Sequence, residues 1–315
     1  MSTFSVGITI FLSFLVFSSF THGYIVYSIN NTDINFISWD GSHGQLDKSI
    51  ALQYEPGNIF TINSGSTENT VNIIITNQTM FNQLNTAMVE LDTYTGEMTD
   101  IFTMSNAAGL YPGGEWYYDS TTNTSTSLAF VHNNNVTRIW VVFQYYSQNI
   151  SHTEWTGQYE QAGQFSAIYD YSDQHYYVTH LVNTTYTILD YSGGSAGVTV
   201  TNTSIASYTN QTWFYKPLVV NGALYVFENM GSGIGVYRVD FQSNAMQHIN
   251  TIDSAANTIS TFKLYYNYPK NLLVMATVSQ TSTSVYELNP STMQVVSVDA
   301  DAQMLYPKTE LLFCQ

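Results

Sequence analysis

Residues 223–227, Ala223-Leu224-Tyr225-Val226-Phe227, and residues 235–240, Gly235-Val236-Tyr237-Arg238-Val239-Asp240, are two alternating apolar segments, the second ending on an acid followed by Phe241-Gln242-Ser243-Asn244. A period of two puts successive side chains on opposite faces of a sheet, and an Asx residue beside small polar residues supplies the hydrogen bonds of a tight turn. The stretch reads as a strand, a connection, a second strand and a hairpin turn. The second strand recurs as Phe36-Ile37-Ser38-Trp39-Asp40, Met88-Val89-Glu90-Leu91-Asp92, Tyr186-Thr187-Ile188-Leu189-Asp190 and Val285-Tyr286-Glu287-Leu288-Asn289, with a weaker copy at Trp140-Val141-Val142-Phe143-Gln144-Tyr145. With Trp39, Leu91, Gln144, Leu189, Val239 and Leu288 as equivalent positions, the steps are 52, 53, 45, 50 and 49 residues. The period is about 50 residues, one supersecondary unit per repeat.

Turn chemistry follows in register at Asp92-Thr93-Tyr94-Thr95-Gly96, Asp190-Tyr191-Ser192-Gly193-Gly194, Asp240-Phe241-Gln242-Ser243-Asn244 and Asn289-Pro290-Ser291-Thr292. The Asx side chain closes such a turn, and Gly or Asn tolerates the positive φ it needs. Ahead of each unit lies another strand, such as Leu272-Leu273-Val274-Met275, and earlier still an innermost candidate such as Trp213-Phe214-Tyr215-Lys216-Pro217-Leu218. Four strands per repeat of this length predict an all-β chain, a six-bladed β-propeller. Tyr24-Ile25-Val26-Tyr27 starts at the second strand of a blade, and Leu311-Leu312-Phe313-Cys314 sits one repeat after Phe262-Lys263-Leu264-Tyr265, so the C-terminal strand is expected to complete the first blade. The predicted blades are 24–52 with 303–315, then 56–104, 112–158, 164–206, 212–254 and 258–300. A β-sandwich array is the structural alternative.

The Ala223–Phe227 and Gly235–Asp240 strands, with the turn Leu91-Asp92-Thr93-Tyr94-Thr95-Gly96-Glu97, resemble the repeats of the YVTN/quinoprotein-like β-propellers. The resemblance covers nearly all of the chain after residue 23 and implies fold alone. The tryptophan docking motifs of quinoprotein blades and the WD dipeptides of another propeller class are missing from the sequence, and no cofactor is carried over.

Of 315 residues only 10% are charged, 23 acidic against 7 basic, for a net charge of -16. That excludes an electrostatic nucleic-acid binder. Val6–Phe20 is an apolar run of 15 residues, with Thr21-His22-Gly23 placing small residues before Tyr24. It reads as a secretory signal peptide, residues 1–23, although its start carries no Lys or Arg. The run is shorter than the ~20 residues of a membrane-spanning helix, so no stable membrane insertion is expected. Residues 24–315 are then a single domain of 292 residues (315 less 23). Cys314 stands alone, so no intramolecular disulfide is possible and the core must suffice. In an innermost strand it is expected to be a buried thiol. Eight Asn-x-Ser/Thr acceptors, Asn30, Asn77, Asn123, Asn135, Asn149, Asn183, Asn202 and Asn210, suit an N-glycosylated secreted protein. None follows residue 210, leaving the last third bare.

The seven histidines are scattered and none has zinc-site spacing; His175 and His180, five apart, face opposite sides of a strand and are expected at exposed loop positions. Gly231-Ser232-Gly233-Ile234-Gly235 reads as a hairpin turn, and Asp299-Ala300-Asp301 as solvated acid. Three of the seven basic residues, Lys216, Lys263 and Lys308, are 47 and 45 residues apart, one near the innermost strand of each of three consecutive blades. Such a ring of ammonium groups, with Trp213, Tyr215 and Tyr265 beside it, would form an anion-attracting mouth suited to carboxylated or sulfated sugars or acidic protein segments. Lysines that pair with local acids such as Glu310 would produce the same spacing.

Three functional readings follow: an extracellular binding protein for carbohydrate or protein ligands, a lactonase- or lyase-type propeller enzyme, and a structural glycoprotein without ligand. The enzyme reading needs a divalent metal held by single residues from separate blades, for which Glu55, Glu115 and Asp119 are the candidates. No other cofactor is expected.

Overall fold

The computed structural model describes the backbone of 24 strands between Tyr24 and Cys314. Side-chain surroundings are described for residues 89–92, 95–99, 117, 119, 126, 164–192, 201–207, 214–230, 233–252, 259, 261–266, 271–277 and 284–298. The expected signal peptide lies outside the described residues. In chain order the strands are β1 (Tyr24–Ile29), β2 (Asp33–Trp39), β3 (Gly44–Ala51), β4 (Asn58–Ser64), β5 (Thr70–Asn77), β6 (Asn85–Asp92), β7 (Met98–Ser105) and β8 (Leu110–Asp119). There follow β9 (Thr124–Asn133), β10 (Val136–Tyr145), β11 (Gln148–Trp155), β12 (Gln164–Asp170), β13 (His175–Val182), β14 (Thr185–Gly194), β15 (Gly197–Ala206) and β16 (Tyr215–Val220). The last are β17 (Ala223–Asn229), β18 (Gly233–Asp240), β19 (Ala245–Asp253), β20 (Thr261–Asn267), β21 (Leu272–Val278), β22 (Thr283–Leu288), β23 (Val295–Asp301) and β24 (Leu312–Cys314).

These strands form six four-stranded antiparallel sheets, five of them consecutive meanders and the sixth ordered β24-β1-β2-β3. The C-terminal strand pairs with the first strand, Ile25 opposite Cys314 and Tyr27 opposite Leu312. Each segment predicted from the 50-residue period matches one sheet, with β7, β8 and β23 running past the predicted bounds to Ser105, from Leu110 and to Asp301. Neighbouring sheets touch through their first strands, in the order β24, β4, β8, β12, β16, β20 and β24 again. The first strands are therefore the inner ones, and β3, β7, β11, β15, β19 and β23 are outer edges.

Side chains alternate between the two sheet faces, and in the β12–β15 and β16–β19 sheets both faces are apolar because a neighbouring sheet packs on either side. Tyr177, Leu181, Tyr186 and Ile188 pack against Tyr215, Val219, Leu224 and Val226 of the next sheet. The opposite face of that next sheet sets Leu218, Val220, Phe227 and Val236 against Phe262, Leu273, Met275 and Leu288. Buried tyrosines need a partner for the hydroxyl, and Tyr117, Tyr169, Tyr186 and Tyr215 find it across the sheet gap, whereas the buried Tyr286 hydroxyl has none among the described residues. The Tyr117 hydroxyl donates to the Ala167 carbonyl at 3.2 Å, Tyr169 donates to Asp119 Oδ2 at 3.1 Å, and Tyr186 donates to Glu228 Oε1 at 2.8 Å. The Tyr215 hydroxyl lies 3.0 Å from the Gln164 carbonyl and 2.8 Å from that of Thr179.

The Asx turns have the predicted chemistry at Asp92, Asp240 and Asn289. Asp92 Oδ1 accepts from the Thr95 amide at 2.8 Å, Asp240 Oδ1 from Gln242 at 2.9 Å, and Asn289 Oδ1 from Ser291 at 2.9 Å. Four positions after each Asx the backbone turns left-handed, at Gly96 (φ 78°), Asn244 (φ 51°) and Met293 (φ 57°). Asp170 makes a fourth such turn, between β12 and β13, with Gln174 at φ 61°. The expected turn at Asp190 does not form there. Strand β14 runs on to Gly194 because Tyr191 is buried against the preceding sheet and Asp190 accepts from His175 instead of a turn amide. Gly235 likewise belongs to strand β18 rather than to a turn. A Cβ there would stand 2.7 Å from the Tyr237 ring, which folds back over it toward Met230.

Five outer strands each carry one residue more than their partner: Asp47 in β3, Ile101 in β7, one residue between Gln148 and Ser151 in β11, Ile249 in β19 and Val296 in β23. Such bulges twist an edge and interrupt its hydrogen-bonding row. Strand β15 pairs with β14 without interruption from Thr185–Ala206 to Gly194–Gly197.

Tyr215→Phe removes a hydroxyl from the buried Thr179 carbonyl and the half-buried Gln164 carbonyl while keeping the ring. It is expected to destabilise the fold by about 1–2 kcal/mol, read as a lower urea midpoint at unchanged slope.

Candidate functional site

Inner strands β16 and β20 bring two of the three spaced lysines to corresponding places. Tyr215 packs toward the sheet before its own, as does Phe262, so alternation turns Lys216 and Lys263 to the other face of each sheet. Strands β16 and β20 touch, and both lysines are half-buried. Tyr265 lies two residues beyond Lys263, on the same face and half-buried. Tyr215 is not part of a mouth. Only 3% exposed, its ring meets Tyr186 edge-on at 4.9 Å and its hydroxyl is held by the preceding sheet. Trp213 and Lys308 lie outside the described residues.

Of the candidate metal ligands, Glu55 lies outside the described residues. Glu115 falls in inner strand β8 within an irregular stretch between Pro112 and Trp116, where the pairing with β9 is interrupted; its side chain is outside the description. Asp119 ends that strand, buried, and accepts from the Tyr169 hydroxyl. Among the described residues no three His, Cys, Asp or Glu side chains converge as a metal set. Asn183 and Asn202 are exposed, Asn183 in the turn between β13 and β14 and Asn202 in β15. Asn77 and Asn149 lie in β5 and β11 without side-chain description, and Asn30, Asn123, Asn135 and Asn210 lie outside the described residues, as does the burial of Cys314.

Sequence spacing did not reveal a polar group at the turn end of the β12–β15 sheet. His175 Nδ1 and Asp190 Oδ1 are 2.7 Å apart, and Tyr177 lies beside them, stacked on the exposed Phe241 at 6.1 Å. Burial raises the Asp190 carboxyl above its ordinary range and the neighbouring His175 opposes that rise. Burial, then Asp190, Asp170 and Asp173, push the Tyr177 phenol up. The group spans three strands and a loop, so its partners are joined by register and not by spacing: Asp170 faces His175 across one ladder, and Tyr177 faces Asp190 across the next.

His180 also differs from its expected exposed loop. It lies in β13, 5% exposed, its ring flat on Phe165 at 3.8 Å. Burial lowers its pKa from 6.5 to about 4. The unfolded chain therefore takes up a proton below pH 6.5 that the folded chain refuses until about pH 4. Stability from this group is complete above pH 6.5 and falls as the pH drops toward 4. His180→Phe should flatten this part of the pH profile, measured by urea unfolding of both proteins across that window.

No protein-family model matches the sequence, and no curated protein matches it. Among solved structures, a protein from Bacteroides uniformis whose name assigns it 6-phosphogluconolactonase activity aligns over 91% of this chain and 85% of its own, with TM-score 0.57 and 10% identity. A periplasmic gluconolactonase of Pseudomonas aeruginosa aligns over 93% and 99%, with TM-score 0.53 and 9% identity. TolB from Acinetobacter baumannii aligns over 92% of this chain and 65% of its own, with TM-score 0.54 and 12% identity. Identities this low carry fold and nothing more. The sandwich alternative is set aside: the chain shares the fold of β-propeller proteins.

Proposed function

We propose that the chain is a six-bladed propeller completed by its C-terminal strand, and that it works outside the cell as an N-glycosylated binding protein for anionic carbohydrate. The cyclic contacts of the six inner strands support the architecture. The observation that carries the ligand class is the matched placement of Lys216 and Lys263 on touching inner strands, in a chain whose net charge is -16. Two ammonium groups near one rim, with the Tyr265 ring beside Lys263, offer a sugar carboxylate or sulfate both charge and an aromatic face. Local acids neutralise isolated surface lysines at little gain, whereas half-buried lysines on adjoining strands are screened less by salt. Lys308, one repeat later, would extend the same rim.

The test is binding of the secreted protein to immobilised neutral, carboxylated and sulfated glycans. Saturable binding to the acidic sugars, weakened by salt and reduced at least tenfold (about 1.4 kcal/mol) in the Lys216→Ala/Lys263→Ala variant, is the expected result. Equal binding to neutral sugars, or an undiminished variant, contradicts the reading. Preference for acidic peptides over sugars would move the same rim to a protein ligand.

A lactone-hydrolysing reading draws on the names of two structural neighbours and on Glu115 in the irregular stretch of β8, since departures from regular pairing re-aim side chains at inner strands. A divalent cation would there polarise the lactone carbonyl. Asp119 is already engaged by Tyr169, which leaves Glu115 and Glu55 to hold it. Metal-dependent hydrolysis of a sugar lactone, lost in Glu115→Gln, would favour this reading over glycan binding.

A further inference from the structure

Strand β15 differs from the other outer strands in two independent ways. It is the one described outer strand without an extra residue, and its ten residues stay in register with β14 along their whole length. It is also the one outer strand without a charged residue. Gly197-Val198-Thr199-Val200-Thr201-Asn202-Thr203-Ser204-Ile205-Ala206 has neither charge nor Pro, while β3 carries Asp47 and Lys48, β7 Asp100, β11 Glu154, β19 Asp253, and β23 Asp299 and Asp301. A long, unbulged, uncharged edge rich in Val and Thr is a template for pairing with another chain. Near the middle of that edge stands a glycosylation sequon, Asn202-Thr203-Ser204. Asn202 is opposite Leu189 and exposed, and Thr201 and Ser204 are exposed beside it.

We infer that Asn202 carries an N-linked glycan whose role is to shield the β15 edge, standing in for the bulge and the charge that protect the other five. The inference rests on the reading of the chain as secreted. A glycan is bulky and strongly hydrated, and at the centre of the strand it blocks approach of a second β-edge. Asn183, exposed in a turn of the same sheet, is the internal comparison, because a glycan there covers no edge.

The chain is secreted from a glycosylating cell, and its peptides are mapped by mass spectrometry after enzymatic glycan release in heavy-oxygen water. Asn202 should be occupied, and Ser204→Ala, which keeps Asn202, should remove one glycan and raise light scattering on slow warming several-fold. Thr185→Ala, which removes the Asn183 sequon, should leave scattering unchanged. Thr201→Lys added to Ser204→Ala should restore the low scattering, since a charge then replaces the sugar. Asn202 bare beside an occupied Asn183 overturns the shield and leaves secretion standing. Every sequon bare overturns both readings. Scattering of Ser204→Ala equal to that of the parent, or not lowered by Thr201→Lys, overturns the shield alone.

Discussion

Tyrosine hydroxyls that cross from one sheet to the next set the spacing on which the rest of this fold depends. Tyr117 to Ala167, Tyr169 to Asp119 and Tyr215 to Gln164 span 50, 50 and 51 residues, one repeat each. Apolar faces alone would bring two sheets together without fixing how they slide. A phenol that is apolar along its body and polar at its tip supplies area and registration at once. With a single cysteine, no covalent brace shares that task. The abundance of tyrosine, 25 residues, thus has a structural use before any functional one.

Much of the architecture was readable because two kinds of local rule agree at each repeat. Alternation identified the strands, and Asp92, Asp240 and Asn289 marked the turns after them through an oxygen that accepts backbone amides. Asp190 shows where that agreement fails. An Asx residue is equally able to accept from a side chain, and once His175 lies diagonally across the ladder, paired with Ser192, that contact prevails, with Tyr191 drawing the strand onward into the core. The left-handed residue of the Asn289 turn is Met293, not Gly or Asn, because its side chain is fully buried and packing outweighs backbone preference. The extra residues in the outer strands left no trace that composition reveals, since a bulge is a property of a strand and its partner together.

The candidate site was legible to the extent that it follows the repeat. Lys216 and Lys263 fall on corresponding positions because the period carries them there. Tyr215, one residue earlier, was read as lining the mouth, and the same alternation places it on the other face, in the core. Whether an aromatic residue beside a lysine serves ligand or core depends on which strand face is enclosed, and that is decided by the neighbouring sheet. Glu228 illustrates the same limit: fully buried and accepting from the Tyr186 and Ser207 hydroxyls, it is a charged residue placed by tertiary packing that no local pattern announces.

The pairing of β1 with β24 also has a kinetic side. Ile25 and Cys314 are 289 positions apart in the chain (314 less 25), whereas the other five sheets are built from neighbouring hairpins. Contacts between near neighbours form first, and those across long loops wait for chain entropy to be overcome. During synthesis β1, β2 and β3 emerge well before β24 and stay without that edge partner until it arrives. The slowest step of folding should therefore be the meeting of β1 and β24. Force or proteolysis that frees the C-terminal strand should open the molecule from that sheet, and not from the hairpins between.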